Sequence, residues 1–275
     1  MTVIQGILLG ILQGIAEFLP ISSSGHLAIA QSLFGLDEVP LLFDVFLHLA
    51  TLAAVCLYFR KKIWTLLKCF GRWIARKPLE SDIQTDDILC GTDELGRKTI
   101  IAIILSTLVT GVIGIITSKL IPELPVKVIC IGFLITSAFL ILSAILEKRN
   151  SEKGISKAQA LFIGLMQGVG TLPGISRSGS TIAGALFCGV ERSAAGEYSF
   201  IISIPALLGA FILELKDLGD VTESVGALPL ILGCISAFIV GYLSLALLMK
   251  TIRKGKLQWF ALYLIPAAIL GFIFL

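Results

Sequence analysis

Residues Gln13-Gly-Ile-Ala-Glu-Phe-Leu-Pro-Ile-Ser-Ser-Ser-Gly-His26 return 154 positions later as Gln167-Gly-Val-Gly-Thr-Leu-Pro-Gly-Ile-Ser-Arg-Ser-Gly-Ser180, with six identities and no gap. The register extends upstream, where Gln5 and Gly10 meet Gln159 and Gly164. A duplication therefore organises the chain. Each copy reads as an apolar helix of about fifteen residues, a Pro/Ser/Gly turn and a second short helix. The copies differ in their chemistry: Glu17, Ser23 and His26 in the first face Thr171, Arg177 and Ser180 in the second. One copy brings an acid, a hydroxyl nucleophile and an imidazole, and the other brings the cation.

Of the 275 residues, 56% are hydrophobic and 15% are charged, and the mean hydropathy is +0.95. That composition predicts an all-α integral membrane protein. Crossing a bilayer core takes roughly 20 apolar helical residues. Such stretches run at about Leu41–Phe59, Thr99–Ser118, Val126–Leu146, Tyr198–Leu213, Gly226–Met249 and Gln258–Leu275, six spans in all. The N-terminus lacks a basic region before its apolar stretch, so no cleavable signal peptide is expected. Pro205 and Pro266 predict kinks within their spans.

The two repeat segments predict re-entrant helix-turn-helix pairs that enter the membrane and leave on the same side. Backbone broken at membrane depth survives only where protein or a wet cavity satisfies it. Broken helices at matching positions in two halves point to a binding site. Loop charge orients the chain. Arg60–Lys77 carries seven basic residues and no acid, while Lys148–Lys157 and Lys250–Lys256 carry four each, which predicts a cytoplasmic position. Asp37-Glu38, Lys119–Lys127 and Glu214–Glu223, with Asp217 and Asp220, are poor in base or acidic and are expected outside. Residues 1–150 then form a first repeat of one re-entrant pair and three spans, with a cytoplasmic loop at about 60–98, and residues 151–275 form the second. Three spans per repeat invert the second copy and leave both termini outside.

Within the first cytoplasmic segment, Ile63, Leu66, Leu67, Phe70, Trp73 and Ile74 recur at helical spacing with Lys62, Lys68, Arg72 and Arg76 on other faces. This predicts a helix lying on the inner membrane surface, an anchor that touches anionic lipid. Glu80–Leu95 reads as a polar loop without visible chemistry. The six cysteines, at 56, 69, 90, 130, 188 and 234, show no paired spacing, so neither a disulfide framework nor a zinc site is expected. The net charge of +3 comes from the cytoplasmic loops. No stacking aromatics accompany the basic runs, so no nucleic-acid partner is expected.

An ionisable residue within a membrane costs about 2.5 to 3.5 kcal/mol even on lenient scales, which singles out Glu17 and Arg177. If the two turns meet, Glu17, Ser22, Ser23, His26, Ser176, Arg177, Ser178 and Thr181 converge. Each turn precedes a helix, offering unpaired N–H groups and a positive dipole end. A serine alone most often only caps a helix, but both turns together with Arg and Glu make a cradle for phosphate. Asp44 and His48 form an i, i+4 pair that reads first as an intrahelical contact and second as a metal or proton-relay pair. Glu197 nearly mirrors Asp44 under the offset, and both acids suit helix N-termini. The four-residue spacing of Gly6, Gly10 and Gly14, and of Gly164 and Gly168, predicts close helix packing.

Two motifs, Gln13-x-x-x-Glu17 with Phe-Leu-Pro-x-Ser-Ser-x-Gly-His26, and Pro173-Gly-x-Ser-Arg-Ser-Gly-x-Thr181, resemble the signatures of the undecaprenyl-diphosphate phosphatase family, also called bacitracin-resistance proteins. The resemblance covers essentially the whole chain. It implies an inverted-repeat membrane enzyme, with its site open to the outer face of the plasma membrane. The implied reaction removes the terminal phosphate of a polyprenyl diphosphate and regenerates the carrier lipid for cell-wall synthesis. It also implies a divalent cation, Mg²⁺ or Ca²⁺. The first acidic position of the family is Gln13 here, which leaves Glu17 as the main metal ligand and Gln13 as a weaker one. Whether two copies pair as a homodimer is left open.

For such a reaction Arg177 would hold the diphosphate, with Ser22, Ser176, Ser178 and Thr181 around it. Ser23 and His26, three residues apart on one helix, have nucleophile and base spacing. Ser23 is expected to attack or to orient water, with His26 or Glu17 taking the proton; a direct His26 phosphoenzyme is a variant. A transporter or flippase of a phosphorylated lipid is an alternative, since inverted repeats with broken helices also build transporters. It would need Arg177 but not Ser23 or His26. A type-2 phosphatidic-acid phosphatase would need an Arg-Pro pair, which this chain lacks.

Overall fold

The computed structural model describes residues 1–36, 41–77, 87–120, 125–146, 154–214 and 225–274. Its helices are α1 (Val3–Ala16), α2 (Ser23–Leu33), α3 (Leu41–Tyr58), α4 (Arg60–Ile74), α5 (Asp93–Leu120), α6 (Val126–Ile145), α7 (Lys157–Val169), α8 (Arg177–Phe187), α9 (Arg192–Glu214), α10 (Ala227–Arg253) and α11 (Ala261–Phe274), the last preceded by a 3-10 turn at Leu257–Phe260. No strand occurs among the described residues. The protein is therefore all-helical, as the composition predicts.

Among the described residues, helices α5, α6, α9 and α10, and α11 together with its preceding 3-10 turn, are long and apolar enough to cross a membrane, and α3 makes a sixth if its bent pairing with α4 counts as one span. Their outward faces are apolar: Ile104, Leu108, Val112 and Ile115 on α5, and Ile231, Ile235, Ile239 and Leu243 on α10, are exposed at helical spacing. A water-soluble protein would cover such stripes, whereas a bilayer solvates them. The chain is a multi-pass membrane protein.

The duplication is visible in local structure. Both α1 and α7 open with a capping box, Thr2 with Gln5 and Ser156 with Gln159, so the paired glutamines are helix-start devices. Both second helices are capped by the serine of the shared motif, Ser22 for α2 and Ser176 for α8. The packing crosses the repeat: α1 lies along α10 and α7 along α5, while α6 meets α11 and α3 meets α9. The spaced glycines make this possible. A Cβ on Gly10 would sit 2.1 Å from the Gly233 carbonyl oxygen, and one on Gly164 would sit 2.7 Å from Ser106 Cα. Hydrogen bonds reinforce the α5–α7 seam, where Ser106 Oγ donates to the Ala160 carbonyl at 2.7 Å and Thr110 Oγ1 to that of Gly164 at 3.0 Å.

Helix α4 turns 79° away from α3. Trp64, Leu67, Phe70 and Ile74 are exposed along it, while Leu66 and Cys69 are buried. Lys62 reaches back to Asp87 at 2.7 Å and pairs with Glu197. Asp87 also accepts from the amides of Leu89 and Cys90 at 2.9 and 3.3 Å. The described part of the polar loop is thus tied to α4 and α9, a structural task that composition alone does not disclose. Glu197 binds Lys62 as well as facing its own helix start.

No two of the cysteines are joined by a disulfide. Asp37-Glu38, Asp217 and Asp220, together with parts of Glu80–Leu95, Lys119–Lys127 and Lys148–Lys157, lie outside the described residues.

Candidate active site

The two turns meet. Glu17, the C-cap of α1, is buried, and its Oε1 accepts an ion-paired hydrogen bond from Arg177, the first residue of α8. Its Oε2 accepts from Ser23 Oγ at 2.7 Å and from Gln13 Nε2 at 3.1 Å. His48 Nε2 stands 3.3 Å from the same oxygen. A single carboxylate thus gathers a hydroxyl, an amide, an imidazole and a guanidinium, the pairing that a buried charge requires.

Local backbone aims these groups. Ser22 takes φ 71° and ψ 94°, a conformation that costs a non-glycine residue about 1–3 kcal/mol. That reversal stops the chain after Pro20 and starts α2 at Ser23. In the second turn Gly174 takes φ 85°, and a Cβ there would sit 2.2 Å from the Ile129 carbonyl oxygen of α6. The Ser176 amide donates to Thr136 Oγ1 of α6 at 2.9 Å, so α6 braces the start of α8. The hydroxyls of Ser22 and Ser176 accept from the third amides of their helices, Gly25 and Gly179. The preceding amides, of Ser23 and Ser24 in α2 and of Arg177 and Ser178 in α8, have no intrahelical partner. Two positive helix ends therefore flank one Arg177.

A cavity of about 180 Å³ opens here, lined by Glu17, Ser23, Ser24, His48, Thr171, Ser176, Arg177 and Ser178 with apolar neighbours. Of the expected residues, Glu17, Ser23, Ser176, Arg177 and Ser178 line it. Ser178 Oγ is shared between Ser176 Oγ at 3.2 Å and the Phe18 carbonyl at 3.2 Å. Ser22 and Thr181 are buried but turn to backbone: Ser22 caps α2, and Thr181 Oγ1 donates to the Arg177 carbonyl at 2.6 Å.

His26 does not meet Ser23. Its Nδ1 donates to the Ser22 carbonyl at 2.8 Å, and its Nε2 accepts from the Tyr263 hydroxyl at 2.7 Å. The ring stacks between Phe133 of α6 and Tyr263 of α11. Three-residue spacing permits a shared face, but the Ser22 carbonyl, one turn back, holds the imidazole elsewhere. His48 occupies the place expected of His26. Its Nδ1 donates to the Asp44 carbonyl at 2.7 Å, which is the intrahelical contact expected, while its other nitrogen reaches Glu17. Asp44 instead accepts from Gln31 Nε2 at 2.8 Å. Only the third dimension puts α3 against the first turn, so no local motif could have ranked His48 above His26.

Among the described residues no group of three His, Cys, Asp or Glu gathers as a metal site. Glu17 is the one carboxylate lining the cavity, and donors already face both of its oxygens. Gln13 is fully buried, and its Oε1 has no hydrogen-bond partner. Gln167 Oε1 is equally unpartnered, though Gln167 Nε2 binds Thr110 at 3.0 Å, away from the cavity. This donor set fits a hard cation that takes few protein oxygens and completes its shell with phosphate and water. It does not fit a closed protein cage.

A family model described as "Bacitracin resistance protein BacA" matches residues 6–270. Among curated relatives, an undecaprenyl-diphosphatase of Treponema denticola is 48% identical over 266 residues, 97% of this chain and 95% of its own. One from Desulforapulum autotrophicum is 40% identical over 275 residues, covering 96% and 95% of the two chains. One from Methanosphaera stadtmanae is 40% identical over 267 residues, covering 95% and 94%.

Proposed function

We propose that this chain, which belongs to the bacitracin resistance protein BacA family, is an undecaprenyl-diphosphatase that removes the terminal phosphate of a polyprenyl diphosphate and returns the monophosphate carrier lipid for cell-wall polysaccharide synthesis. The observation that carries this reading is the hydrogen-bonded series Ser23, Glu17, Arg177, which joins a hydroxyl, its base and a phosphate-binding cation from two distant motifs.

In this reading Arg177 and the free amides at the starts of α2 and α8 hold the diphosphate oxygens. Ser23 Oγ attacks the terminal phosphorus, and Glu17 Oε2, 2.7 Å away, takes its proton. The bond from that phosphorus to the bridging oxygen breaks, and polyprenyl monophosphate leaves. Water then attacks the phosphoserine, releasing inorganic phosphate and restoring the Ser23 hydroxyl, and the proton held by Glu17 passes to solvent. His48 and Gln13 keep the Glu17 carboxylate placed between turnovers. Ser176 and Ser178 shape the phosphate pocket, and Ser22 and Thr181 support it through backbone. Gln13 Oε1 and Glu17 would hold Mg²⁺ or Ca²⁺, which when bound supplies neutralisation of the diphosphate charge. With His26 held by Ser22 and Tyr263, the base is Glu17.

The enzyme lies in the plasma membrane with its cavity open to the outer side and both termini outside. Residues 1–150 and 151–275 form the two inverted copies. Support comes from the basic loops at 60–77 and 250–256, and from the crossed packing of α1 on α10 and α7 on α5. The test is phosphate release from long-chain polyprenyl diphosphate by purified protein in detergent with Mg²⁺ or Ca²⁺. Wild type is expected to release phosphate, and Glu17→Ala, Ser23→Ala and Arg177→Ala to lose about 10²-fold or more. Folded protein that binds the lipid but releases no phosphate with either metal would refute the reading.

A further inference from the structure

The cavity around Glu17 is too small for its substrate. At about 180 Å³ it falls below the roughly 300–1,000 Å³ of pockets that bury drug-sized ligands. It suits a phosphate group and leaves the lipid chain unhoused. A second cavity of about 650 Å³ lies against it, between α5 and α9. Thr171, Ala206 and Ala210 line both, so the two spaces share a wall at the second turn. The larger one is mainly apolar, with Leu172 and Pro173 in its lining. Ile115 and Leu213, also in its lining, are 48% and 59% exposed, which joins it to the membrane-facing surface.

Three glycines hold this cleft open. A Cβ added at Gly111, Gly114 or Gly209 would meet nothing within 4 Å. Glycine inside a helix costs about 1 kcal/mol relative to alanine, and these three repay none of it through close packing. The corresponding seam of the other repeat, α3 against α10, is closed. There a Cβ on Gly241 would lie 2.9 Å from the Phe18 ring and 3.4 Å from Thr51 Cγ2. One on Gly233 would lie 3.5 Å from Leu47. One seam of the duplicated fold is filled with side chains, and the other is left as an apolar cleft beside the reactive groups.

We infer that the polyprenyl chain of the substrate leaves the phosphate cavity past Thr171, Ala206 and Ala210 and lies in the α5–α9 cleft, where Gly111, Gly114 and Gly209 select long chains over short ones. This rests on the diphosphatase reading. Pro205, whose ring removes a backbone donor from α9, lies on the same wall and interrupts the ladder where the chain enters. The rest of a long polyprenyl tail continues into lipid from the lip formed by Ile115 and Leu213. A chain too short to fill the cleft forgoes that apolar burial, so discrimination appears in kcat/KM and grows with length.

The test compares kcat/KM for a long-chain polyprenyl diphosphate and for farnesyl diphosphate in wild type, Gly114→Phe, Gly209→Phe and the control Val112→Phe, an exposed position of α5 outside the cleft lining. The glycine variants should lower the long-to-short ratio by about tenfold or more, and Val112→Phe should leave it unchanged. In parallel, a polyprenyl monophosphate carrying a photoreactive group near its head is crosslinked to wild type and the attachment sites are mapped. Crosslinks on α5 and α9 support the inference even if no diphosphate is hydrolysed, an outcome that would strike only the enzymatic reading. Crosslinks confined to other helices, or equal losses for both chain lengths, would overturn it.

Discussion

Arg177 closes an ion pair on Glu17 across 160 positions of sequence, and both residues sit where short helices meet turns rather than in the long helices. The pair welds the two copies of the motif at the cavity. Removing one partner strands the other charge in a poorly solvated site, at a cost of about 3–5 kcal/mol for a buried pair. Arg177→Ala should therefore lose thermal stability in detergent as well as activity. Adding Glu17→Gln, which removes the stranded carboxylate, should recover much of the stability and none of the activity. A double variant no more stable than Arg177→Ala would show that the ion pair is not what joins the turns.

The two histidines separate under substitution. His48 faces Glu17 at 3.3 Å, whereas His26 is packed between Phe133 and Tyr263 with both nitrogens engaged. His48→Ala should lower kcat by about tenfold or more, less than the ~10²–10⁴-fold of a direct acid or base because it acts through Glu17, with KM little changed. His26→Ala should act mainly on stability, and Tyr263→Phe should reproduce part of that loss. A kcat loss larger in His26→Ala than in His48→Ala would return the imidazole to Ser23 during turnover.

Much of this arrangement could be read from the chain. The paired short helices, the long apolar helices and the amphipathic α4 follow from apolar length, the repeat and charge, all of which are local. Glu17, Ser23 and Arg177 were legible because an acid and a cation in apolar turns have few other uses. His48 was not, because its role depends on α3 packing beside the first turn. The split between Ser23 and His26 was hidden for a related reason: spacing says which side chains can share a face, while the Ser22 carbonyl and Tyr263 decide where the ring goes. The cleft between α5 and α9 was equally invisible, since Gly111 and Gly114 look like the packed glycines of α1 until the space beside them is seen.

The glycines of the crossed packing and those of the cleft should behave oppositely. Gly10→Leu must push apart α1 and α10, whose backbones leave no room for even a Cβ. Overpacking of this kind costs about 1–3 kcal/mol or more, so the variant should accumulate poorly and melt early in detergent. Gly164→Leu should do the same at the α5–α7 seam. Gly111→Ala, in open space, should be neutral or slightly stabilising, since alanine is the better helix former by about 1 kcal/mol. Fluorescence-detected chromatography of heated samples ranks the three, and a Gly10→Leu protein as stable as Gly111→Ala would contradict the α1–α10 contact.

Where α4 meets α9, stability should depend on pH through Lys62. Burial alone would raise the Asp87 carboxyl, but the hydrogen bond from Lys62, the Leu89 amide and the Lys62 charge outweigh it and hold Asp87 below its usual 3.8. Burial alone would lower Lys62, but its bonds to Asp87 and Glu197 raise it above its usual 10.5. The signs define a window. A carboxyl held low contributes stability that is present above its unfolded pKa and lost as pH falls through the folded one. An ammonium held high contributes stability that is present below its unfolded pKa and lost as pH rises through the folded one. The tie between α4, the Asp87 turn and α9 is therefore complete from about pH 5 to about pH 9. Lys62→Met should lower the melting temperature by a similar amount across that window. Below pH 3.8 the gap between wild type and variant should narrow as Asp87 takes up its proton. A gap that stays constant down to pH 3 would mean that Lys62 acts through packing of its aliphatic stem rather than through its charge.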